Sequence, residues 1–371
     1  MCIDLDAFYP SCEEIRDPSL IGKPHAVIMT DEEEKNITKG VVASCSYEAR
    51  MFGVKSAMPL VKATEICPAL LLKPVDIPYY RQVSDQVMAI LGTYADTLEQ
   101  TSIDEAYLDC TKKLLSSSRA NSNVKQYSTA IKIKIKQQCN LMTSIGVAPT
   151  KSAAKIASDL RKPDGLTIVY PDQLQGFLEN LEVERISGIG TKTQQILKKE
   201  MGIHTIGLLA KYDVQTLMER FGKKHGLWMW RVANGQDETP VVNREDHVSL
   251  STEHTLDSFT QDKAVLLKYF YELVDSLYER VKSQDYQFKT VGIKIVRSNF
   301  AIETREKTYL SYQTSRESIS AVIEELLDRF SIDDNLPITL GVRKVGLKVS
   351  NLMNKRKKES ASVQKTLPDY I

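Results

Sequence analysis

The chain has 371 residues, room for roughly two to four domains with a core in each. Its 42% hydrophobic and 26% charged fractions suit an ordinary globular protein, and no run of about 18 apolar residues is present to cross a membrane. A net charge of +1 excludes a uniformly basic nucleic-acid binder, yet the charge is unevenly placed. Residues 1–100 hold 15 Asp and Glu against 9 Lys and Arg, and residues 282–358 hold 15 Lys and Arg against 9 Asp and Glu. An acidic front suits a cation site and a basic rear suits phosphate contacts, although drift between unrelated solvated surfaces gives the same counts. Cys2, Cys12, Cys45, Cys67, Cys110 and Cys139 form no C-x-x-C pair, which argues against zinc and for reduced, buried thiols in a cytoplasmic protein. Charged positions begin at once, so no secretory leader is expected.

The chain opens on a strand in which apolar residues alternate with Asp4 and Asp6. A buried carboxylate is expensive unless it neutralises, pairs or binds a cation. A short helix reaches about Arg16, Pro18 stops it, and Ala26 to Met29 reads as a strand. Thr30 to Gly40 is a charged turn and Val41 to Ser44 a strand. Tyr47-Glu48-Ala49-Arg50 then opens a helix that ends at Phe52-Gly53-Val54. Tyr47 and Arg50 can face an anion near that helix start; taken alone they equally describe a surface Arg beside a core Tyr. Asp76 to Tyr94 repeats Tyr80, Val83, Val87, Ile90 and Leu91 at helical spacing.

The strongest signal is Thr101-Ser102-Ile103-Asp104-Glu105-Ala106-Tyr107-Leu108-Asp109. Ile103, Tyr107 and Leu108 favour strands, so two strand edges meeting at a tight turn are expected. Neighbours on a straight strand point to opposite faces, and the turn is what brings Asp104 and Glu105 to one point. If this segment pairs with the first strand, Asp4 joins them in a three-carboxylate cluster, a hard-oxygen donor set for Mg²⁺. In isolation Ser102-Ile103-Asp104-Glu105 is an exposed acidic hairpin tip.

Cys110 to Gln126 reads as a polar loop. Ile131 to Lys136 alternates strictly, the period of a strand, while Val124, Ser128, Ile131 and Ile135 also form a helical stripe. Met142 to Ala148 is a strand, Pro149-Thr150-Lys151 starts a helix to about Leu160, and Arg161-Lys162-Pro163-Asp164-Gly165 is a loop. Residues 171–234 turn to short helices. There Ile186-Ser187-Gly188-Ile189-Gly190-Thr191-Lys192 looks like a helix-hairpin-helix, whose glycines and helix-start amides suit a phosphate backbone. Trp228 and Trp230 read as core. Asn234 to Glu245 is a linker. The remainder alternates: strand to about Leu256, helix Asp262 to Ser283, strands Phe288 to Val296 and Glu303 to Leu310, helix Ser315 to Phe330, strand Ile338 to Lys348. That is a second α+β unit. Asn351 to Ile371 is polar and basic, the composition of a disordered tail.

Four motifs in order, D-x-D-A-F-Y-x-x-x-E-E from Asp4, Y-E-A-R from Tyr47, S-I-D-E-A-Y-L-D from Ser102 and K-P-D-G from Lys162, resemble those of a Y-family (translesion) DNA polymerase. The likeness spans nearly the whole chain and is greatest to the archaeal-like, DinB-type DNA polymerase IV branch. It implies an α+β right hand: a ferredoxin-like palm with small fingers over residues 1–165 (fingers about 18–75), a helix-hairpin-helix thumb over 166–234, a linker over 235–245, a C-terminal α+β little finger over 246–350 and a tail over 351–371. In that fold the Ile131 to Lys136 segment is a palm helix, and Ser56 and Ala57 belong to a small-residue roof above the nascent base pair. Family members start with a slightly longer first strand than the three residues before Asp4.

The resemblance also implies chemistry. Two Mg²⁺ ions are expected on Asp4, Asp104, Glu105 and the carbonyl of Leu5, with Asp4, Asp104 and Glu105 catalytic. Phe8, Tyr9, Ser44, Tyr47, Arg50 and Lys162 are expected to meet the incoming deoxynucleoside triphosphate. Tyr9 is the expected steric gate against a ribose 2′-hydroxyl, a ring filling the palm core being the competing reading. Asp6 matches an acidic family position that is not clearly a ligand. Gly188, Gly190, Lys192, Arg297 and Arg343, with Ser298 and Lys344 beside the last two, are expected on primer–template DNA; solvated edge charges are the alternative for the arginines. Gln364, Leu367, Tyr370 and Ile371 resemble a sliding-clamp peptide, with Ile371 where a second aromatic is usual. A monomer without proofreading, of low fidelity and processivity, follows. Two rivals are a catalytically silent DNA-binding scaffold and a palm-type nucleotidyl cyclase; the intact carboxylates disfavour the first, and the duplex-gripping elements the second.

Overall fold

The computed structural model describes residues 1–29, 40–116, 124–243, 247–330 and 341–354. They form two compact units, Met1–Asn243 and Arg244–Ile371. Strands of the first unit are β1 Cys2–Leu5, β2 His25–Met29, β3 Val41–Cys45, β4 Leu71–Pro74, β5 Thr97–Gln100, β6 Glu105–Asp109, β7 Thr143–Val147 and β8 Leu166–Ile168. Its central sheet has the order β5-β6-β1-β7-β8, with β1 antiparallel to both β6 and β7.

The period of two along β1 decides what lies on each face. Ile3 and Leu5 enter a core with Val83, Val87 and Leu91 of the helix Ile77–Tyr94 and Ile131 and Ile135 of the helix Val124–Cys139. Cys2 and Asp4 take the other face, under the helix Lys151–Asp159, where Cys2 Sγ meets Ser158 Oγ at 3.6 Å. Gly146 on β7 is what lets that helix sit so close. A Cβ there would fall 2.0 Å from the Ala154 carbonyl oxygen.

Ile131 to Lys136 is helical: Ile131 and Ile135 are fully buried and Ile133 is half exposed. Its strict alternation is a coincidence of an amphipathic helix with lysines on its wet side. The polar stretch after Cys110 is not all loop, because Thr111–Ser116 is a helix and the next helix already starts at Val124; Asp96 accepts from the first amides, Lys112 N and Lys113 N. β2, β3 and β4 form a small separate sheet in the order β3-β2-β4, with the helices Tyr47–Met51 and Leu60–Ile66 beside it. The short helices of residues 171–233 bury Leu178, Leu197, Leu217 and Met229 together, with Trp228 and Trp230 packed against them as core.

The expected linker is strapped down at its start. Asp237 accepts from Ser152 N and Ser152 Oγ, and Val242 N donates to Glu99, a fully buried carboxylate that also pairs with Lys151.

In the second unit β9 Ser249–Thr260, β10 Tyr286–Arg297, β11 Ile302–Gln313 and β12 Val342–Ser350 form an antiparallel sheet, β11-β10-β12-β9. Phe270, Leu277, Phe288, Ile293, Leu326 and Leu347 meet in its core. The expected helix Ser315 to Phe330 is broken into Arg316–Ser320 and Ile323–Leu327. Ser320 Oγ bonds back to the Glu317 carbonyl, in competition with the helix ladder, and Val322, between the two helices, is buried in the core. β9 runs past Leu256 to Thr260. Residues expected in a disordered tail begin ordered, since Met353–Asn354 pairs with Tyr286 and Gln287. The expected charged turn from Thr30 and the clamp peptide lie outside the described residues, apart from Gly40.

Candidate active site

The register of two strands makes the site. Asp4 lies directly opposite Glu105, so both carboxylates leave the same face of the sheet. The turn Ser102 to Asp104 precedes β6, and Leu5 N donates to the Asp104 carbonyl at 2.9 Å, which ties the turn to β1. The Ser102 hydroxyl donates to Asp104 Oδ1, and Asp104 N donates back to Ser102 Oγ at 3.2 Å. The three carboxylates border a cavity of about 530 Å³, together with Leu5, Tyr9, Tyr47, Arg50 and Lys162.

Sequence reasoning missed Lys155. From the helix Lys151–Asp159 its Nζ reaches Asp4 Oδ2 at 2.8 Å and Glu105 Oε2 at 2.6 Å. Burial alone would lower the pKa of this ammonium, but the Asp4 and Glu105 carboxylates outweigh it and hold the pKa well above the usual lysine value. Lys162 reaches Asp4 Oδ1 at 2.7 Å and Asp159 Oδ1 at 2.8 Å. Its pKa is raised in the same way, desolvation opposed by Asp159 and Asp4. The expected triple carboxylate cluster is thus realised as a pair, Asp4 and Glu105, around lysine ammoniums, with Asp104 beside them on Ser102. Among the described residues no three carboxylates are closed into a cage. The donor chemistry of carboxylates and a main-chain carbonyl still fits a hard divalent cation.

Asp6, one residue beyond β1, has a different task. It is 3% exposed and accepts from Ser144 Oγ at 2.8 Å, Asp164 N at 2.8 Å and Tyr47 OH at 3.3 Å. It therefore fastens the Lys162–Gly165 loop and the Tyr47 helix to the sheet. Burial pushes its pKa up, against those hydrogen bonds.

Tyr9 is half-buried and stacks on Tyr80, ring centroids 4.6 Å apart at 19°. Tyr80 is locked in turn by its hydroxyl on Glu13 at 2.7 Å. Phe8, 2% exposed, backs the same wall from the core. Arg50 is exposed, its Nε on the Cys45 carbonyl at 3.2 Å and its guanidinium 4.9 Å from the Tyr47 ring centre. Ser44 lines the cavity. The Ala49 amide in the first turn of that helix is taken by Ser46 Oγ, so the expected amide contribution is reduced there.

The matches to known proteins follow this anatomy. Residues 3–159 match the impB/mucB/samB family, residues 247–367 its C-terminal domain, and residues 181–236 the DNApol eta/Rev1 HhH motif. DNA polymerase IV of Methanoculleus marisnigri is 40% identical, with 94% of this chain and 93% of that protein aligned. DNA polymerase IV of Nitrosopumilus maritimus is 37% identical, with 94% of each aligned.

The chain belongs to the Y-family DNA polymerases.

It falls in the DinB-type, DNA polymerase IV branch and is a translesion DNA-directed DNA polymerase. Among solved structures, a Y-family DNA polymerase chimera of Dbh and Dpo4 aligns over 95% of this chain and 99% of its own at 30% identity, TM-score 0.84. An insertion ternary complex of Dbh DNA polymerase aligns over the same shares at TM-score 0.67. The central sheet is thus the polymerase palm, and β11-β10-β12-β9 with its helices is the little finger.

In the thumb Gly188 has φ +108, and Ser187, Gly188, Gly190 and Lys192 are all exposed and do not line the carboxylate cavity. In the little finger the sequence expectation for Arg297 needs correcting. It is 6% exposed and its Nε donates to Glu303 Oε1 at 2.7 Å, so it is a buried guanidinium paired with a half-buried carboxylate across the β10–β11 hairpin rather than a surface cation. Arg343 is half-buried with its guanidinium 4.5 Å from the Phe300 ring centre. Lys344 pairs with Glu253 at 3.0 Å. Gln364, Leu367, Tyr370 and Ile371 lie outside the described residues. No described helix is long and apolar enough to cross a membrane.

Proposed function

We propose that Asp4, Asp104 and Glu105, with the Leu5 carbonyl, hold two Mg²⁺ ions at the palm cavity, and that Tyr47, Arg50 and Lys162 receive the triphosphate of the incoming deoxynucleotide. The observation that carries this is the pairing of Asp4 with Glu105 at the border of a cavity that also holds Arg50 and Lys162. When bound, two such ions would withdraw charge from the triphosphate and acidify the primer 3′-hydroxyl.

The chain's own residues do the rest. Arg50 offers a planar, exposed guanidinium suited to phosphate oxygens, and Lys162 a compact ammonium that keeps Asp159 as a partner when it leaves Asp4. Tyr47 stays a phenol at neutral pH, since burial and then Asp6 push its pKa up, and its one O–H donates to a phosphate when it leaves Asp6. Tyr9, fixed by its stack on Tyr80, stands where a ribose 2′-hydroxyl is excluded. Phe8 and Ser44 shape the remaining wall.

Primer–template DNA is held by Gly188, Gly190 and Lys192 of the thumb and by Arg343 of the little finger; Arg297 supports that surface from within. Gln364, Leu367, Tyr370 and Ile371 tether a cytoplasmic, monomeric enzyme to a sliding clamp.

Steady-state nucleotide incorporation by Arg50→Ala and Lys162→Ala tests the phosphate roles: the KM for deoxynucleotide rises at least tenfold, about 1.4 kcal/mol of lost binding. An unchanged KM in both removes them from the site. Deletion of residues 364–371 tests the tether: short-primer synthesis is kept and stimulation by a clamp is lost, whereas equal stimulation refutes it.

A further inference from the structure

Lys155 has no part in the nucleotide contacts above, yet it sits between two of the carboxylates assigned to metal, Asp4 Oδ2 at 2.8 Å and Glu105 Oε2 at 2.6 Å. Its third partner is Asp159, one helical turn on, at 3.4 Å. Asp159 is about one-third exposed and lies outside the assigned metal set, and it also holds Lys162 at 2.8 Å. Both lysines therefore bridge an inner carboxylate and the same outer one.

We propose that Lys155 is a positioning residue that sets how tightly the palm carboxylates take divalent cations, and that Asp159 is the group that receives its ammonium when they do. The inference rests on the assignment of Asp4, Asp104 and Glu105 to metal. Asp4 and Glu105 stand opposite one another in register, where two like charges repel, and a cation between them holds them in place. An ammonium meets that need, but it competes for the same oxygens with any metal. The stem of Lys155 is anchored on a helix seated against Gly146, so the ammonium stays within reach and can only exchange partners. Asp159, on the same helix, is the partner that leaves Asp4 and Glu105 open. Lys155 and Asp159 thus act on metal affinity with opposite signs. A purely structural role would give both substitutions the same sign.

The test is Mn²⁺ binding to the full chain, without DNA or nucleotide, read as free Mn²⁺ by electron paramagnetic resonance. Lys155→Met keeps the stem and removes the charge, and its Mn²⁺ affinity rises about tenfold. Lys155→Arg returns it toward wild type. Asp159→Asn leaves Lys155 on the inner carboxylates, and Mn²⁺ affinity falls severalfold. Shifts of the same sign in Lys155→Met and Asp159→Asn, or none in either, overturn the proposal. If Lys155→Met does not fold, Asp159→Asn alone decides, and unchanged or tighter binding overturns it. The double variant Asp104→Ala, Glu105→Ala separates the two layers. Wild-type Mn²⁺ binding there sinks the metal assignment itself, whereas loss there with wild-type binding in the Lys155 and Asp159 variants sinks only this proposal.

Discussion

Asp6 is the acidic residue of the first motif that works as a latch, and Asp6→Ala exposes the difference from a ligand. Its carboxylate accepts from Ser144 Oγ and Asp164 N, both at 2.8 Å, and from Tyr47 OH at 3.3 Å. Ser144 is fully buried, so no solvent replaces the lost acceptor. A buried donor left unmet costs about 1–3 kcal/mol, and bonds to a charged group lie toward the upper end. The buried Ser144 donor counts fully, the part-buried Asp164 amide counts in part and the longer Tyr47 contact counts little. Removing a desolvated carboxylate returns part of the loss, because burial is the leading influence on its pKa. The net is about 2–4 kcal/mol. For a unit the size of Met1–Asn243 this lowers Tm by roughly 6–12 °C. Scanning calorimetry on wild type and variant measures it. Kinetics adds a second reading: the Lys162–Gly165 loop and Tyr47 loosen together, so KM for deoxynucleotide rises more than kcat falls. A Tm within about 2 °C of wild type refutes the latch.

Other outcomes follow from single sites. Gly188→Ala sets a Cβ at φ +108 and 2.7 Å from Trp228 Cη2, so it costs about 1–3 kcal/mol locally; by fluorescence anisotropy its primer–template Kd rises about tenfold, and an unchanged Kd excludes the hairpin from DNA contact. Asp237 is held below its ordinary pKa of 3.8 because hydrogen bonds from Ser152 and Thr239 outweigh its burial. A lowered folded pKa means the anion contributes stability above the unfolded value and loses it as pH falls through the folded one. Asp237→Asn is therefore less stable by about 1 kcal/mol at pH 7, and the gap in urea midpoint closes below about pH 4; a gap that persists at low pH contradicts the ionic strap. Tyr9→Ala raises ribonucleotide incorporation relative to deoxynucleotide by at least tenfold, and an unchanged ratio assigns Tyr9 to packing alone.

The carboxylates were legible because their signal is local. Asp4 interrupts an apolar strand, and Asp104 and Glu105 can share one point only at a turn, so pairing of the two segments leaves little freedom. The helix at Ile131 to Lys136 was legible only through the family likeness, since its alternation belongs to both periods and burial of Ile131 and Ile135 but not Ile133 decides between them. Lys155 was not legible. In Lys151-Ser152-Ala153-Ala154-Lys155 it looks like an ordinary solvated helix charge, and its position depends on Gly146 admitting the helix onto the sheet. The strapped linker was hidden for the same reason: Ser152 and Glu99, which hold Asp237 and Val242, lie 85 and 143 residues away in sequence. Arg297 was misjudged because its partner Glu303 comes alongside only once β10 and β11 form a hairpin.

On the proposed assignment Asp4, Asp104 and Glu105 drive template-directed nucleotidyl transfer. Primer extension on an undamaged template with Mg²⁺ and deoxynucleotides tests it most directly, with wild type beside the double variant Asp104→Ala, Glu105→Ala at matched primer–template occupancy. Wild type extends the primer and the variant does not. Extension by the variant at the wild-type rate, or binding without extension by both proteins, contradicts it.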